Sequence, residues 1–346
     1  MHTFPPETDI LIIGAGPAGL ACAKVLAENG LKVVVVERKP SVGPKVCAGG
    51  ITYSGLIKHI PPEYIEKEFP EQHIFTPRQR LTVAESAPII ATIDREQIGQ
   101  WMKQQALASG AKILTGAQAV QIDGQKVLVQ HGKKTKPIST NHLIGADGAN
   151  SIVRRYLNIP TTKVGVGLNC FIPMQYEQME WHLNPKLFNS GYAWIFPHRK
   201  SISIGAYAER SCMDTRTLKQ NLIAWATTRG IAIPQKAIRA GLVNFDYQGT
   251  SFNPLWLIGE AAGLASGLTG EGIYPGIVSG QEVARKILDP SYSMPLLKTI
   301  VKKQHKHYTV LTLAKQTPRL CGILMDLLVL LLRCKLINFR TLEMAD

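Results

Sequence analysis

Residues 8–14 form an apolar, β-rich run that leads into Gly14-Ala15-Gly16-Pro17-Ala18-Gly19. Residues 17–29 (PAGLACAKVLAEN) read as a helix stopped by Gly30. Residues 31–37 (LKVVVVE) read as a second strand, valine-rich and buried on both faces as parallel strands are. This strand–turn–helix–strand unit constrains the fold more than any other feature of the chain. Gly14 permits the tight turn, Gly16 lets backbone approach a pyrophosphate, and Gly19 lets the helix pack close on the strand. The helix start at Pro17 and Ala18 presents unpaired N–H groups and a partial positive charge to phosphates. Glu37 closes the second strand 18 residues after Gly19, where a carboxylate accepts from both ribose hydroxyls and repels a 2′-phosphate. A glycine-rich turn without a ligand does not account for the whole unit.

The first unit does not separate FAD from NAD; two later segments do. Residues 145–151 (GADGANS), with Arg154 three positions on, resemble the second FAD signature of the hydroxylase-type flavoproteins. Residues 259–263 (GEAAG) follow the apolar run LWLIG and resemble the third, with Glu260 where aspartate is usual. That resemblance implies FAD contacts at Gly14, Gly16, Pro17, Ala18, Gly19, Glu37, Arg38, Arg95, Asp147, Gly148, Gly259 and Glu260. It also implies that the glycine-rich stretch 267–272 brings Gly270, Gly272 and Ile273 to the pyrimidine edge of the flavin.

Two more stretches narrow the resemblance. Residues 45–50 (KVCAGG) resemble the K-x-C-G-G-G segment of the geranylgeranyl reductases, and residues 191–197 (GYAWIFP) resemble their Y-x-W-x-F-P motif. Ala48 replaces a glycine and Asn189 replaces the motif's first proline, and the short chain points to a bacterial branch. The resemblance implies hydride transfer from reduced FAD to an isolated double bond of a polyprenyl chain. Lys45, Cys47, Ala48 and Gly49 then lie against the cofactor, with Cys47 a candidate proton donor or a small buried hydrophobe. Tyr192, Trp194 and Phe196 alternate along a strand and so share one face, either an apolar wall for the substrate or ordinary core.

The implied fold is α/β: a Rossmann-like parallel sheet that binds FAD, an inserted antiparallel-sheet substrate domain, and C-terminal helices. The expected divisions are 1–60, 95–160 and 241–290 for the FAD-binding domain, 61–94 and 161–240 for the substrate domain, and 291–346 for the helical segment. Residues 94–109 read as a helix, and a second helix follows residue 259 through 284. The run 320–332 (LCGILMDLLVLLL) is too short to span a bilayer; it reads either as a buried helix or as one resting on an anionic membrane.

Charge and cysteine usage bound the partners. The chain carries 39 Lys+Arg against 25 Asp+Glu, a net +14, which favours an anionic partner. No zinc-finger spacing or basic heptad region appears, so nucleic acid is not expected. Six scattered cysteines without a C-x-x-C pair read as reduced thiols. No clustered Cys or His has metal-ligand spacing, and no metal is expected. The N-terminus reads as a first strand and not a signal peptide. The expectation is a cytoplasmic monomer, peripheral on the inner face of a membrane. With no second G-x-G-x-x-G, the electron donor is transient, either NAD(P)H or a ferredoxin-like protein. Two other readings stay open on sequence: an FAD-dependent monooxygenase or halogenase, and a non-catalytic flavin-bearing, lipid-binding protein.

Overall fold

The computed structural model describes residues 5–56 and 58–345. A sheet of eight strands is built around Glu7–Ile13, which pairs in parallel with Val33–Glu37 on one side and Lys134–Gly145 on the other. Lys112–Thr115 and Leu255–Leu257 extend the parallel core at its two edges. Ile10, Leu11, Ile12 and Val33 to Val36 are buried, as an apolar run covered on both faces requires. An antiparallel meander, Ala117–Asp123 and Lys126–His131, leans on the first half of Lys134–Gly145. Helix Pro17–Glu28 packs against Ile273–Leu288, so the first and last parts of the chain share one core with Arg95–Ala108. Asp94 caps that third helix, accepting from the amides of Glu96 at 2.7 Å and Gln97 at 3.0 Å.

A second sheet of seven strands runs in the order Arg239–Asn244, Val164–Ile172, Ile202–Glu209, Tyr192–Pro197, Glu180–His182, Glu71–Phe75, Arg80–Ala84. It is antiparallel except at one place: Glu180–His182 lies parallel to Glu71–Phe75. The pairing joins strands far apart in the chain, and no local turn signal marks it. Side chains on the outer face, among them Ala193, Ile195, Ile204 and Ala206, pack under helix Thr215–Thr228. The inner face carries Tyr192, Trp194, Phe196 and Tyr207. A small third sheet, Gly50–Thr52, Ile90–Ile93 and Ile65–Phe69, bridges the two larger ones.

The helix expected from residue 259 through 284 is broken. Gly259–Ala262 makes one turn, Gly263 ends it at φ +80°, a loop follows, and the long helix starts at Ile273. The C-terminal segment forms the helices Pro295–Ala314 and Pro318–Arg333. Residues 320–332 divide between the two readings of that run. Cys321, Met325, Val329 and Leu332 are buried, while Ile323, Leu327 and Leu330 are 58%, 43% and 46% exposed. Helical periodicity puts the two sets on opposite faces. Among the described residues, no helix is long and apolar enough to cross a membrane.

Candidate functional site

The glycine-rich turn has the stereochemistry of a phosphate cradle. Gly14 sits at φ +105°, and a Cβ there would lie 2.4 Å from the Ala146 carbonyl oxygen. A Cβ on Gly19 would lie 2.1 Å from the Gly14 carbonyl oxygen. Gly16 differs from both: a Cβ there meets nothing within 4 Å, so the room in front of it is free for a ligand. Glu37 holds the turn, accepting from the amides of Ala15 at 2.9 Å and Lys39 at 3.0 Å. Its carboxylate retains lone pairs for ribose hydroxyls. Arg38 beside it is exposed.

Next to this turn, three buried polar atoms have no protein partner: Arg95 Nη1, Asp147 Oδ1 and Glu260 Oε2. They come from the start of Arg95–Ala108, the turn at Gly148–Asn150 and the single helical turn Gly259–Ala262. An unsatisfied buried group costs about 1–3 kcal/mol, so three together are unusual in a native fold. A guanidinium N–H and two carboxylate oxygens suit the diphosphate and hydroxyls of a flavin dinucleotide, and the residues present fit that group. The other Asp147 oxygen accepts from the Ile152 amide at 2.7 Å, and burial holds the carboxyl above its usual range. Glu260 pairs with Lys45 at 2.6 Å, so the extra methylene is accommodated by the 45–50 loop. Gly148 and Gly270 adopt positive φ of +78° and +71°.

The cradle continues into a cavity of about 880 Å³ on the inner face of the second sheet. Pro17, Lys45, Cys47, Arg95, Glu260 and Ile273 line one end. Ala48, Gly270 and Gly272 also line it. Tyr192, Trp194 and Phe196 form one wall, as their alternation requires, and Trp181 from the neighbouring strand completes it. The Trp181 ring centroid is 5.3 Å from that of Tyr192 and 4.7 Å from that of Phe196. Hydrogen bonds tie this wall to the cysteine loop: Trp194 Nε1 donates to Ser203 at 3.1 Å, Ser203 to Asn169 at 2.7 Å, and Asn169 Nδ2 to the Cys47 carbonyl at 2.9 Å. His198 fixes the next residue through the Ala48 carbonyl, 2.9 Å away. Both carbonyls of this stretch of backbone are thus anchored. The Cys47 thiol itself accepts weakly from the Gly49 amide at 3.4 Å.

The far end of the cavity is built by residues that the motifs do not mark. Val310, Ala314, Leu324 and Leu328 line it from the C-terminal helices, and Phe339 and Leu342 from the segment after them. Among the polar groups of the cavity as a whole are Thr52, Glu271, Lys303 and His307. His307 is held neutral, down to about 4, by burial and by the nearby Lys303 charge. Glu271 lies inside the 267–272 stretch, where the glycines alone carry the sequence signal. A second cavity of about 720 Å³ shares Lys45, Cys47 and Arg95 with the first. The loop therefore stands between two spaces. Arg154, part of the second signature, lies behind the site: its guanidinium donates to the carbonyls of Pro160, Ala261 and Asp246. Among the described residues no cluster of His, Cys, Asp or Glu could hold a metal.

Residues 7–212 match the family model described as FAD binding domain. Digeranylgeranylglycerophospholipid reductase 2 of Methanosphaera stadtmanae is 27% identical, over 90% of this chain and 87% of its own. Geranylgeranyl diphosphate reductase of Rhodobacter capsulatus is 28% identical, over 80% of this chain and 74% of its own. Among solved structures, a geranylgeranyl bacteriochlorophyll reductase-like protein from Thermoplasma acidophilum superposes with a TM-score of 0.82 at 20% identity, covering 97% of this chain and 94% of its own. The orphaned polar atoms, the open Gly16 cradle and these likenesses agree: the chain belongs to the FAD binding domain family, as an FAD-dependent oxidoreductase similar to the geranylgeranyl reductases.

Proposed function

We propose that this protein saturates isolated carbon–carbon double bonds in the polyprenyl chain of an anionic lipid. The observation that carries the reading is one continuous cavity with a flavin-ready polar end, an aromatic wall and an aliphatic far end. Gly14, Gly16, Gly19, Glu37, Arg95, Asp147 and Glu260 would hold the dinucleotide, and bound there in reduced form FAD supplies a hydride. An unactivated alkene offers no polar handle, so the protein contributes position and exclusion of water. Tyr192, Trp194, Phe196 and Trp181 give a flat apolar surface for the chain of the substrate, and Lys45 to Gly49 hold the opposite side. The relatives' names include both a prenyl diphosphate and a glycerophospholipid reductase, and both substrates join a long apolar chain to phosphate. The electron donor is transient, NAD(P)H or a ferredoxin-like protein.

The test is direct. The FAD-loaded protein, reduced without oxygen, is mixed with geranylgeranyl diphosphate and with a digeranylgeranyl glycerophospholipid. Flavin reoxidation, with a lipid heavier by two hydrogens, is the expected outcome for at least one of them. Reoxidation by oxygen alone, through a hydroperoxyflavin absorbance and with no lipid reduced, would favour the monooxygenase reading. In the same assay, unchanged turnover of Cys47→Ala removes that thiol from the chemistry.

The substrate's apolar chain favours a membrane-surface enzyme. Ile323, Leu327 and Leu330 form an exposed stripe on Pro318–Arg333, directly outside the cavity residues Leu324 and Leu328. The one acid of this helix, Asp326, is drawn aside by Thr76 at 2.7 Å and Arg78 at 3.2 Å. Exposed Arg319, Arg333 and Lys335 flank the stripe. Such a face suits an anionic bilayer. Co-sedimentation with phosphatidylglycerol-rich vesicles should weaken with salt. The triple variant Ile323→Glu, Leu327→Glu, Leu330→Glu should bind at least about tenfold more weakly, because each buried apolar side chain contributes on the order of 1.5–3 kcal/mol. Equal binding by wild type and variant would sink this placement.

A further inference from the structure

Saturating a double bond takes a proton as well as a hydride, and the groups facing the aromatic end of the cavity differ in whether they can give one. Tyr192 donates its hydroxyl proton to the Thr269 carbonyl, and Tyr207 donates to the Gly267 carbonyl at 2.9 Å. Burial raises both phenols well above their ordinary range. The Trp194 N–H is committed to Ser203. Glu271 differs. It precedes helix Ile273–Leu288, its own amide reaches Thr269 Oγ1 at 3.4 Å, and the residue lines the cavity. One oxygen accepts from the Met344 amide at 2.9 Å. The other accepts from the Thr52 hydroxyl at 3.3 Å, the longer and weaker of the two hydrogen bonds.

The charged neighbours acting on Glu271 are Glu343, from the C-terminal segment, and Lys303, from helix Pro295–Ala314. Loss of water is the largest effect on its carboxyl. With Glu343 close by, it outweighs the Met344 and Thr52 hydrogen bonds and the Lys303 charge, and pushes the group up to about 7. Tyr192, also beside it, stays neutral. A neutral carboxylic acid poised near neutral pH is suited to general-acid work.

We propose that Glu271 is the acid that protonates the substrate alkene. The assignment rests on the double-bond reductase reading above. One alkene carbon takes the hydride, with its electron pair, from the two-electron-reduced flavin. The π pair of the alkene forms the new C–H bond to the Glu271 proton on the neighbouring carbon. Glu271 is left as a carboxylate and recovers its proton from water before the next turnover. The transient donor restores the two electrons to the flavin.

Two measurements test this on the full chain. First, FAD-loaded protein is reduced without oxygen and mixed with geranylgeranyl diphosphate or a digeranylgeranyl glycerophospholipid across pH 5–9. Wild-type reoxidation should fall tenfold per pH unit above about 7. Glu271→Gln should be slower by about a hundredfold or more, with that pH dependence gone, and Glu271→Asp should restore part of the rate. Second, infrared titration of the flavin-free wild type should show a protonated-carboxyl band that disappears with a midpoint near 7 and is missing from Glu271→Gln. This readout needs neither substrate nor cofactor. Glu271→Gln within threefold of wild type at an unchanged pH profile overturns the acid role alone, as does a wild-type spectrum with no carboxyl titrating near neutrality. A wild type that reduces no prenyl lipid overturns the reductase reading and the acid role with it, and the infrared midpoint then stands only as a property of the fold.

Discussion

Gly16→Val should yield a folded but colourless protein. The backbone at Gly16 has φ −77° and ψ 178°, which any residue adopts, and a Cβ there meets no protein atom within 4 Å. As the residue before the first helix, valine is a poorer cap than glycine by about 1 kcal/mol or less. The fold therefore tolerates the change, but the branched side chain stands where a pyrophosphate must approach the amides. Flavin affinity should drop more than about a hundredfold, on the order of 3 kcal/mol of lost phosphate contact. The flanking glycines behave differently. Gly14→Val forces a side chain onto a backbone at φ +105° and into the Ala146 carbonyl, and Gly19→Val drives one into the Gly14 carbonyl. Those two variants should lose the fold along with the flavin. Thermal unfolding of the flavin-free proteins, with flavin fluorescence titration, separates the cases. A Gly16→Val protein that keeps one tightly bound FAD per chain would show that the diphosphate does not dock there.

A large loss of stability without loss of the fold is expected at Arg154. Its side chain is 1% exposed, and its guanidinium holds the Pro160 carbonyl at 2.8 Å, the Asp246 carbonyl at 2.8 Å and the Ala261 carbonyl at 3.3 Å. The Asp246 carboxylate lies 3.8 Å away. These contacts join the exit from the first sheet, the return from the second and the turn that carries Glu260. Arg154→Met leaves three buried carbonyls short of a donor and weakens the surroundings of a buried carboxylate. The expected loss is about 3–5 kcal/mol, read as a lower urea midpoint. Arg154→Lys should recover little, since a compact ammonium cannot span the spread of carbonyls that the wider planar guanidinium reaches. A loss under about 1 kcal/mol would mean the three segments are held by packing alone.

The residues whose tasks are local were readable from the chain. The glycine pattern, the buried valine strand and the acid at its end form a unit complete within about thirty residues. The helix over 94–109, and the shared face of Tyr192, Trp194 and Phe196, follow from helix and strand geometry that neighbours in sequence impose. Cys47 and Ala48 were legible as a loop, but not the anchors Asn169 and His198 that hold their carbonyls from 122 and 150 residues away. Glu271 was hidden in plain view between two glycines that carry the motif. Nothing in its neighbours marks the carboxyl; its character depends on Thr52, Glu343 and Met344, all distant in sequence.

The same division explains residues 320–332. Hydropathy records how apolar a stretch is, but not which way it faces. Strand Arg80–Ala84 and helix Pro185–Phe188 take one side of Pro318–Arg333 and leave Ile323, Leu327 and Leu330 outside. Short-range stereochemistry was enough to specify a dinucleotide cradle, its parallel sheet and an aromatic strand. The depth of the cavity, the outward stripe beside it and the protonation of Glu271 arose from packing between remote segments, because burial and electrostatic environment are set by whatever closes over a side chain.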